Sequence, residues 1–301
     1  MTLRALALAG ARVCAQRRAI DFLALTKPRV VLMVLVTTFV GFHVGSLGPS
    51  DPLRLLHTLF GTWLAAAGAS ALNQYLERDV DGRMERTRHR PLPDQRLQPW
   101  EAGWFGLGLT LAGPLYLGLA VNWLSAAVVA VTAASYLLAY TPLKRRSSLC
   151  TVLGAIPGAL PPVAGWVAAR GEFGVGAWIL FGILFLWQLP HTLAIACVYR
   201  TDYARADLRM LPVVDPDGGS TGRQVVVNCL ALLAVGMLPT LVGMAGPVYF
   251  LGALVLGVVM LACGLGLAVT RSLGSARRLV YASLIYLPAL LVLMALDKIR
   301  L

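Results

Sequence analysis

Asn73, Glu77 and Asp81 stand four residues apart in the stretch NQYLERDVDG, at the end of a long apolar run. On a continuing helix, at about 100° per residue, they share a face roughly 80° wide, so an amide and two carboxylates project together. Asp79 lies about 200° from Glu77 and points elsewhere unless Gly82 unwinds the turn. Clustered carboxylates repel one another, and a divalent cation relieves the repulsion. All-oxygen donors suit Mg²⁺, which keeps waters and bridges carboxylates to substrate phosphates. The basic stretch RMERTRHRPLP follows, and its guanidiniums could bind the remaining phosphate charge. Acids and bases together therefore fit a magnesium-bound diphosphate. A solvated helix end with ion pairs, such as Glu77 with Arg78 or Arg83, is the plainer alternative.

Three further groups carry chemistry. In YRTDYARADLR, Asp202 and Arg205 are three apart and share a helix face. Asp202 and Asp207 are about 140° apart and cannot easily face one ion from a regular helix; a solvated loop explains them equally. In YTPLKRR, Tyr140 and Lys144 are four apart, and the basic cluster is either a phosphate site or a topology signal. His191 follows Pro190 in LFLWQLPHTLAIA. A polar ring at membrane depth faces a cavity or a partner, and the proline frees a backbone carbonyl beside it. It could ligate haem iron, donate to a carboxylate, act as a base, or make a plain interhelical hydrogen bond. His43 and His57 have no flanking motif and read as structural.

The elements that position these residues are membrane spans. Of 301 residues, 58% are hydrophobic and 13% charged, and the mean hydropathy is +0.73; a soluble domain carries about 25% charged residues. Nine spans of bilayer length are expected, at about 30–47, 54–76, 100–119, 123–140, 149–168, 174–198, 225–245, 248–270 and 278–297. The net charge of +12 does not indicate nucleic-acid binding, because the basic residues sit in short loops. With a cytoplasmic N-terminus, 22 Lys/Arg fall inside and four outside, namely Arg54, Arg170, Lys298 and Arg300. The whole chain, 1–301, is expected to be one integral-membrane domain, with 1–29 a cytoplasmic tail. No cleaved signal peptide is expected, since Arg17, Arg18, Lys27 and Arg29 follow the first apolar stretch. The five cysteines are scattered and suggest neither disulfide nor metal site. The polar loops 77–99 and 199–224 follow spans 2 and 6, which hints at a degenerate repeat with one acidic segment in each half.

Six segments together resemble the protoheme IX farnesyltransferase (haem O synthase) family of the UbiA superfamily of membrane prenyltransferases. They are LTKPRV (25–30), NQYLERDVDGRMERTRHRPLP (73–93), YTPLKRRS (140–147), GAIPGALPPVAGW (154–166), WQLPHTLAIA (187–196) and DYARADLRMLPVV (202–214). The resemblance covers roughly 22–295. It implies an all-α bundle of nine transmembrane helices around a central cavity, in the bacterial inner membrane. It implies farnesyl diphosphate as donor, protoheme as acceptor and haem O as product, with haem a substrate and Mg²⁺ the cofactor. Haem A synthase or terminal oxidase assembly would then be a partner. By position, Asn73, Glu77 and Asp81 match the first acidic motif, Asp79 its extra acid, Tyr140 and Lys144 the Y-x-x-x-K element, and Asp202 the head of the second motif. The catalytic set implied is Asn73, Glu77, Asp81, Asp202 and His191. Lys27, Arg78, Arg86, Arg90, Tyr140, Lys144 and Arg205 would bind substrate. Glu77, Asp79, Asp81 and Asp202 would hold the metal.

Four positions depart from the family pattern. Glu77 stands where Asp is usual, Asp207 where glycine is usual, Thr192 where an aromatic follows the histidine, and Ala206 where a D-x-x-x-D motif wants a carboxylate. Three rivals stay in view: a UbiA enzyme with an aromatic or quinone-precursor acceptor, a transporter, and a haem chaperone. A transporter would carry its acids near the bilayer midplane, whereas here they gather at one face. A chaperone would account for His191 but not for the acid–base loops.

Overall fold

A computed structural model describes residues 16–299. The expectations for residues 1–15 and for Arg300 lie outside the described residues. Within them, nine helices are long and apolar enough to cross a membrane: α1 Pro28–Gly45, α2 Pro52–Asp81, α3 Pro99–Ala120, α4 Trp123–Leu143, α5 Cys150–Arg170, α6 Val175–Val198, α7 Gly219–Leu241, α8 Pro247–Thr270 and α9 Leu273–Leu296. This is a multi-pass membrane protein, as its composition predicts. The ends are set locally. Pro28, Pro52, Pro99 and Pro247 open four helices, where a missing N–H costs nothing. Asp51 caps α2 by accepting from the backbone N–H groups of Leu53 and Arg54 at 3.0 and 3.2 Å.

Two features matter for the site. Helix α2 has 30 residues, about 45 Å of rise, against a hydrocarbon core of about 30 Å. Its last turns therefore leave the apolar layer as continuous helix and carry Asn73, Glu77 and Asp81 with them. Helix α4 ends in a π-helical segment, Ser135–Tyr140. There the Thr141 hydroxyl donates to the Tyr136 carbonyl at 2.9 Å, as expected of a widened turn at a functional position.

The expected tail differs from what is seen. Residues 16–25 are helical, and Leu25 is buried against Ala71, Leu92, Leu97 and Ala102. The Gln74 amide donates to the Leu25 carbonyl at 2.8 Å, and Asp21 meets Arg96 at 3.3 Å. An apolar stripe on this segment covers the base of α2 and α3, which a count of charges does not reveal.

The bundle is unevenly filled. Between α6, α7, α8 and α9 the interior is solid, with Leu180, Ile183, Leu232, Tyr249, Tyr286 and Leu290 almost wholly buried. Between α1, α2, α4, α5 and α6 it is hollow. Close backbone approaches tie helices around the hollow. At Gly41 of α1 a Cβ would overlap the Pro162 carbonyl oxygen of α5, and at Gly68 of α2 it would overlap the Thr110 backbone nitrogen of α3. Small residues at such crossings are how membrane helices pack without a hydrophobic driving force.

Candidate active site

The hollow is a cavity of about 450 Å³, within the range of small-molecule sites. One end is charged and the other apolar. At the charged end α2 presents Asn73, Glu77 and Asp81, facing Lys27 before α1, Tyr140 and Lys144 at the end of α4, and Arg86 and Arg90 from the following loop. The Lys27 ammonium donates to Asn73 Oδ1 at 2.7 Å, and Asn73 Nδ2 donates to the Thr141 hydroxyl at 3.2 Å. Lys144 donates to Glu77 Oε1 at 2.8 Å, and its ammonium lies 4.4 Å from the Tyr140 ring centroid. Arg90 donates to Asp81 Oδ2 at 2.6 Å, and Thr87 donates to the Asp81 carbonyl at 2.8 Å. Asn73 and Asp81 are each only 1% exposed. A carboxylate so deeply withdrawn from water is tolerable because a guanidinium is bonded to it.

The charges are mutually tuned. Burial, then the cations Arg90 and Lys144, lower Lys27 to about 7, with Glu77 and Asp81 opposing. Burial also pulls on Lys144, but Tyr140 and the bonded Glu77 carboxylate outweigh it and hold that lysine above its ordinary range.

Other expected residues stand elsewhere. Asp79 is 80% exposed, 3.8 Å from Arg78; the helical offset that separates it from Glu77 turns it away from the cavity. Arg78 folds back to donate to the Tyr75 carbonyl at 2.9 Å, over the Tyr75 ring, and does not line the cavity. Asp202 sits on the short helix Arg200–Arg205, 3.7 Å from Arg205, whose side chain is 65% exposed. The cavity wall there is its neighbour Tyr203, with Leu208 and Met210. Asp202 is buried but does not line the cavity with Glu77 and Asp81, because one step along a helix turns a side chain by about 100°. His191 does not line the cavity either. Its Nδ1 lies 2.6 Å from the Ser283 hydroxyl of α9, its ring stacks on Trp187 at 4.7 Å, and Trp187 donates to the Ser283 carbonyl at 2.9 Å. It is an interhelical contact, and Gln188 and Thr192 face the cavity in its place.

Tyr136 lines the cavity and stacks on Tyr140 at 5.8 Å. Sequence reasoning missed it, although Tyr136, Tyr140 and Lys144 repeat the four-residue spacing of the acidic stripe. Asp207 has φ +54°, in the left-handed region where glycine is free and aspartate among the better-tolerated side chains. That accounts for a position where the resembling family favours glycine.

The oxygen donors on one helix face, Asn73, Glu77 and Asp81, fit a hard divalent cation by chemistry. They reach the same chamber as four cations. The arrangement can therefore receive a polyanion with a metal at one end and an apolar chain at the other.

Comparison with known proteins agrees. Residues 34–293 match the model of the UbiA prenyltransferase family. A protein from Solibacter usitatus named protoheme IX farnesyltransferase is 48% identical over 287 residues, covering 92% of this chain and 98% of that one. Another of that name from Koribacter versatilis is 43% identical, covering 92% and 93%. Among solved structures, a digeranylgeranylglyceryl phosphate synthase superposes with TM-score 0.80 at 16% identity, covering 95% of this chain and 100% of that one. A UbiA homologue from Archaeoglobus fulgidus bound to GPP and Mg²⁺ has TM-score 0.64 at 16% identity, covering 91% and 99%.

Proposed function

The chain belongs to the UbiA prenyltransferase family, and from that premise we propose that it transfers the farnesyl group of farnesyl diphosphate to a vinyl group of protoheme IX, with addition of water, giving haem O and diphosphate. The observation that carries the reading is the polarity of the cavity: cations and oxygen donors crowd one end, and Val, Ala and Thr side chains line the other. The acceptor comes from the name shared by the relatives.

Asn73, Glu77 and Asp81 would hold Mg²⁺, which when bound neutralises the diphosphate and stabilises it as a leaving group. Lys27, Arg86, Arg90 and Lys144 bind the phosphate oxygens. Lys144 and Arg90 are engaged by Glu77 and Asp81, so each exchanges a carboxylate for a phosphate on binding, without being left as an unpaired buried charge. Tyr136 and Tyr140 offer ring faces beside the point where positive charge develops on the allylic carbon. The apolar chamber keeps bulk water from that carbon until it has bonded to the vinyl group. Charged groups at one mouth also suit a protein of the bacterial inner membrane with that mouth and the N-terminus in the cytoplasm. Haem A synthase or an oxidase assembly step would take up the product.

The test is incubation of purified protein with protoheme, a phenolic acceptor, farnesyl diphosphate and Mg²⁺, followed by mass analysis of the haems and of the phenol. Haem O should accumulate. Unmodified protoheme alongside a prenylated phenolic acceptor would replace this reading with the quinone-type one. A reporter fused at Leu301 should be active outside the cytoplasm; cytoplasmic activity would reverse the orientation.

A further inference from the structure

Helix α2 runs along the cavity like a graduated scale. Thr62 and Asn73 are eleven residues apart, so they fall within about 20° on one helix face, separated by about 16 Å of rise. Between them the cavity-facing residues are small: Ala65, Ala66, Ala69 and Ser70. Thr62 is the last residue of α2 to line the cavity. One turn below it Thr58 is fully buried, its hydroxyl donating to the Arg54 carbonyl at 2.7 Å. Two other helices stop at a matching depth. Val129 is eleven residues from Tyr140 on α4, and Pro161 is ten from Thr151 on α5, about 15–16 Å of rise in each case. Immediately beyond Pro161 the backbones of α5 and α1 meet at Pro162 and Gly41. The hollow therefore has a floor, and Thr62, Val129 and Pro161 belong to it. Thr62 is 3% exposed, and its hydroxyl has no hydrogen-bond partner among the described residues. Its neighbours make no use of its polarity, which leaves its bulk facing the chamber.

We propose that Thr62, with Val129 of α4 at matching depth, sets the length of prenyl chain that the protein accepts, with the diphosphate held at Glu77 and Asp81 and the chain entering the chamber at the level of Asn73; this rests on the prenyltransferase reading above. The twelve main-chain carbons of a farnesyl group reach about 13–14 Å when extended, taking three bonds to span about 3.3–3.6 Å as in an extended peptide. That fits above a floor about 16 Å down. A geranylgeranyl chain, with sixteen, needs up to about 18 Å and meets Thr62, while a geranyl chain, with eight, reaches about 9 Å and leaves nearly half of the chamber unfilled.

The experiment measures binding of geranyl, farnesyl and geranylgeranyl diphosphates to the full-length protein in lipid nanodiscs with Mg²⁺, by calorimetry. No acceptor is present, so the outcome is independent of whether haem is the second substrate. The wild type should bind farnesyl diphosphate tightest. Thr62→Phe should weaken farnesyl diphosphate at least about tenfold while holding geranyl diphosphate within about threefold, a discrimination of the size hydrophobic pockets achieve. Inorganic diphosphate should bind unchanged, which also reports that the mouth is folded. Val129→Phe, on a different helix, should reproduce the shift and carries the test if Thr62→Phe does not fold. An unchanged order of affinities in the folded variants would overturn the assignment, as would wild-type protein that binds geranylgeranyl diphosphate as tightly as farnesyl diphosphate. If the order shifts as expected but no haem O forms in the separate turnover assay, the floor stands and the acceptor reading falls.

Discussion

Two acidic segments of similar composition have opposite fates in this bundle. Asn73, Glu77 and Asp81 project from a helix already committed to its axis by some twenty residues of packed membrane span. Asn73 and Asp81 are buried and Glu77 is half-buried, and each is bonded to a different cation. Asp202, Arg205 and Asp207 belong to a six-residue helix and its exit turn. Its contact with the mouth is apolar, through Val80, Met84, Ala206 and Leu208. Asp207 pairs at the surface with Arg83 at 3.0 Å, whereas Asp202 is buried and lies 3.7 Å from the exposed Arg205 of its own short helix. Equivalent-looking carboxylates thus do different things according to the length and burial of the element that carries them. The long helix hands each of its acids a cation from another element, whereas the short one pairs Asp202 only with its own i+3 neighbour and Asp207 with an exposed arginine, where pairs contribute little.

The strongest way to break this contrast is to neutralise the first segment. Glu77→Gln and Asp81→Asn should each lower haem O formation at least about 100-fold, the scale seen when one preorganised electrostatic group is removed, and excess chelator should do the same to the wild type. Near-normal rates in both variants, or in chelator, would reduce the stripe to a packed helix end. Next in size is pH. Lys27 is held near 7 by burial and its neighbouring cations, and a bound diphosphate raises its proton affinity. Diphosphate binding should therefore be tightest below pH 7 and weaken as pH rises through 7 toward 9, by up to roughly tenfold per unit for one linked proton. Calorimetry in buffers of different ionisation enthalpy would show proton uptake, and Lys27→Met should abolish both slope and uptake. Asp202→Asn should cost turnover only a few-fold, since its side chain does not line the cavity. A loss matching that of Glu77→Gln would mean that the 199–210 segment swings its carboxylate into the mouth when substrate binds. The smallest effect is expected for Asp207→Gly. It relieves a left-handed backbone but surrenders an exposed ion pair, so stability should change by no more than about 1 kcal/mol, read as a small shift in Tm.

Much of this was open to a reader of the amino acids. Hydropathy located nine spans because each must be apolar along its length, although α2 runs on to Asp81 rather than ending near 76, since a helix continues past the bilayer while its backbone bonds are satisfied. Helical offset separated Asp79 from Glu77. It could not tell His191 from Gln188 or Thr192, because proline and apolar context report depth in the membrane, and only packing against Ser283 of α9 decides which side of α6 faces the chamber. The same blindness placed Arg78 with Arg86 and Arg90, and hid Tyr136 and Thr62 among ordinary span residues. The packed helix at 16–25 was missed because its apolar residues form too short a run to read as a span and are meaningful only against Leu92, Leu97 and Ala102.

The backbone approaches at Gly41 and Gly68 bear on how a long amphiphile gets in. Where two helices touch main chain to main chain, neither can slide or tilt without a clash that no rotamer change relieves. Helix α1 should therefore travel with α5, and α2 with α3, as rigid pairs. Breathing that admits an isoprenoid tail sideways from the lipid must open a seam between these pairs rather than within one. The chamber is thus built of panels, and its doorway lies along a joint between them.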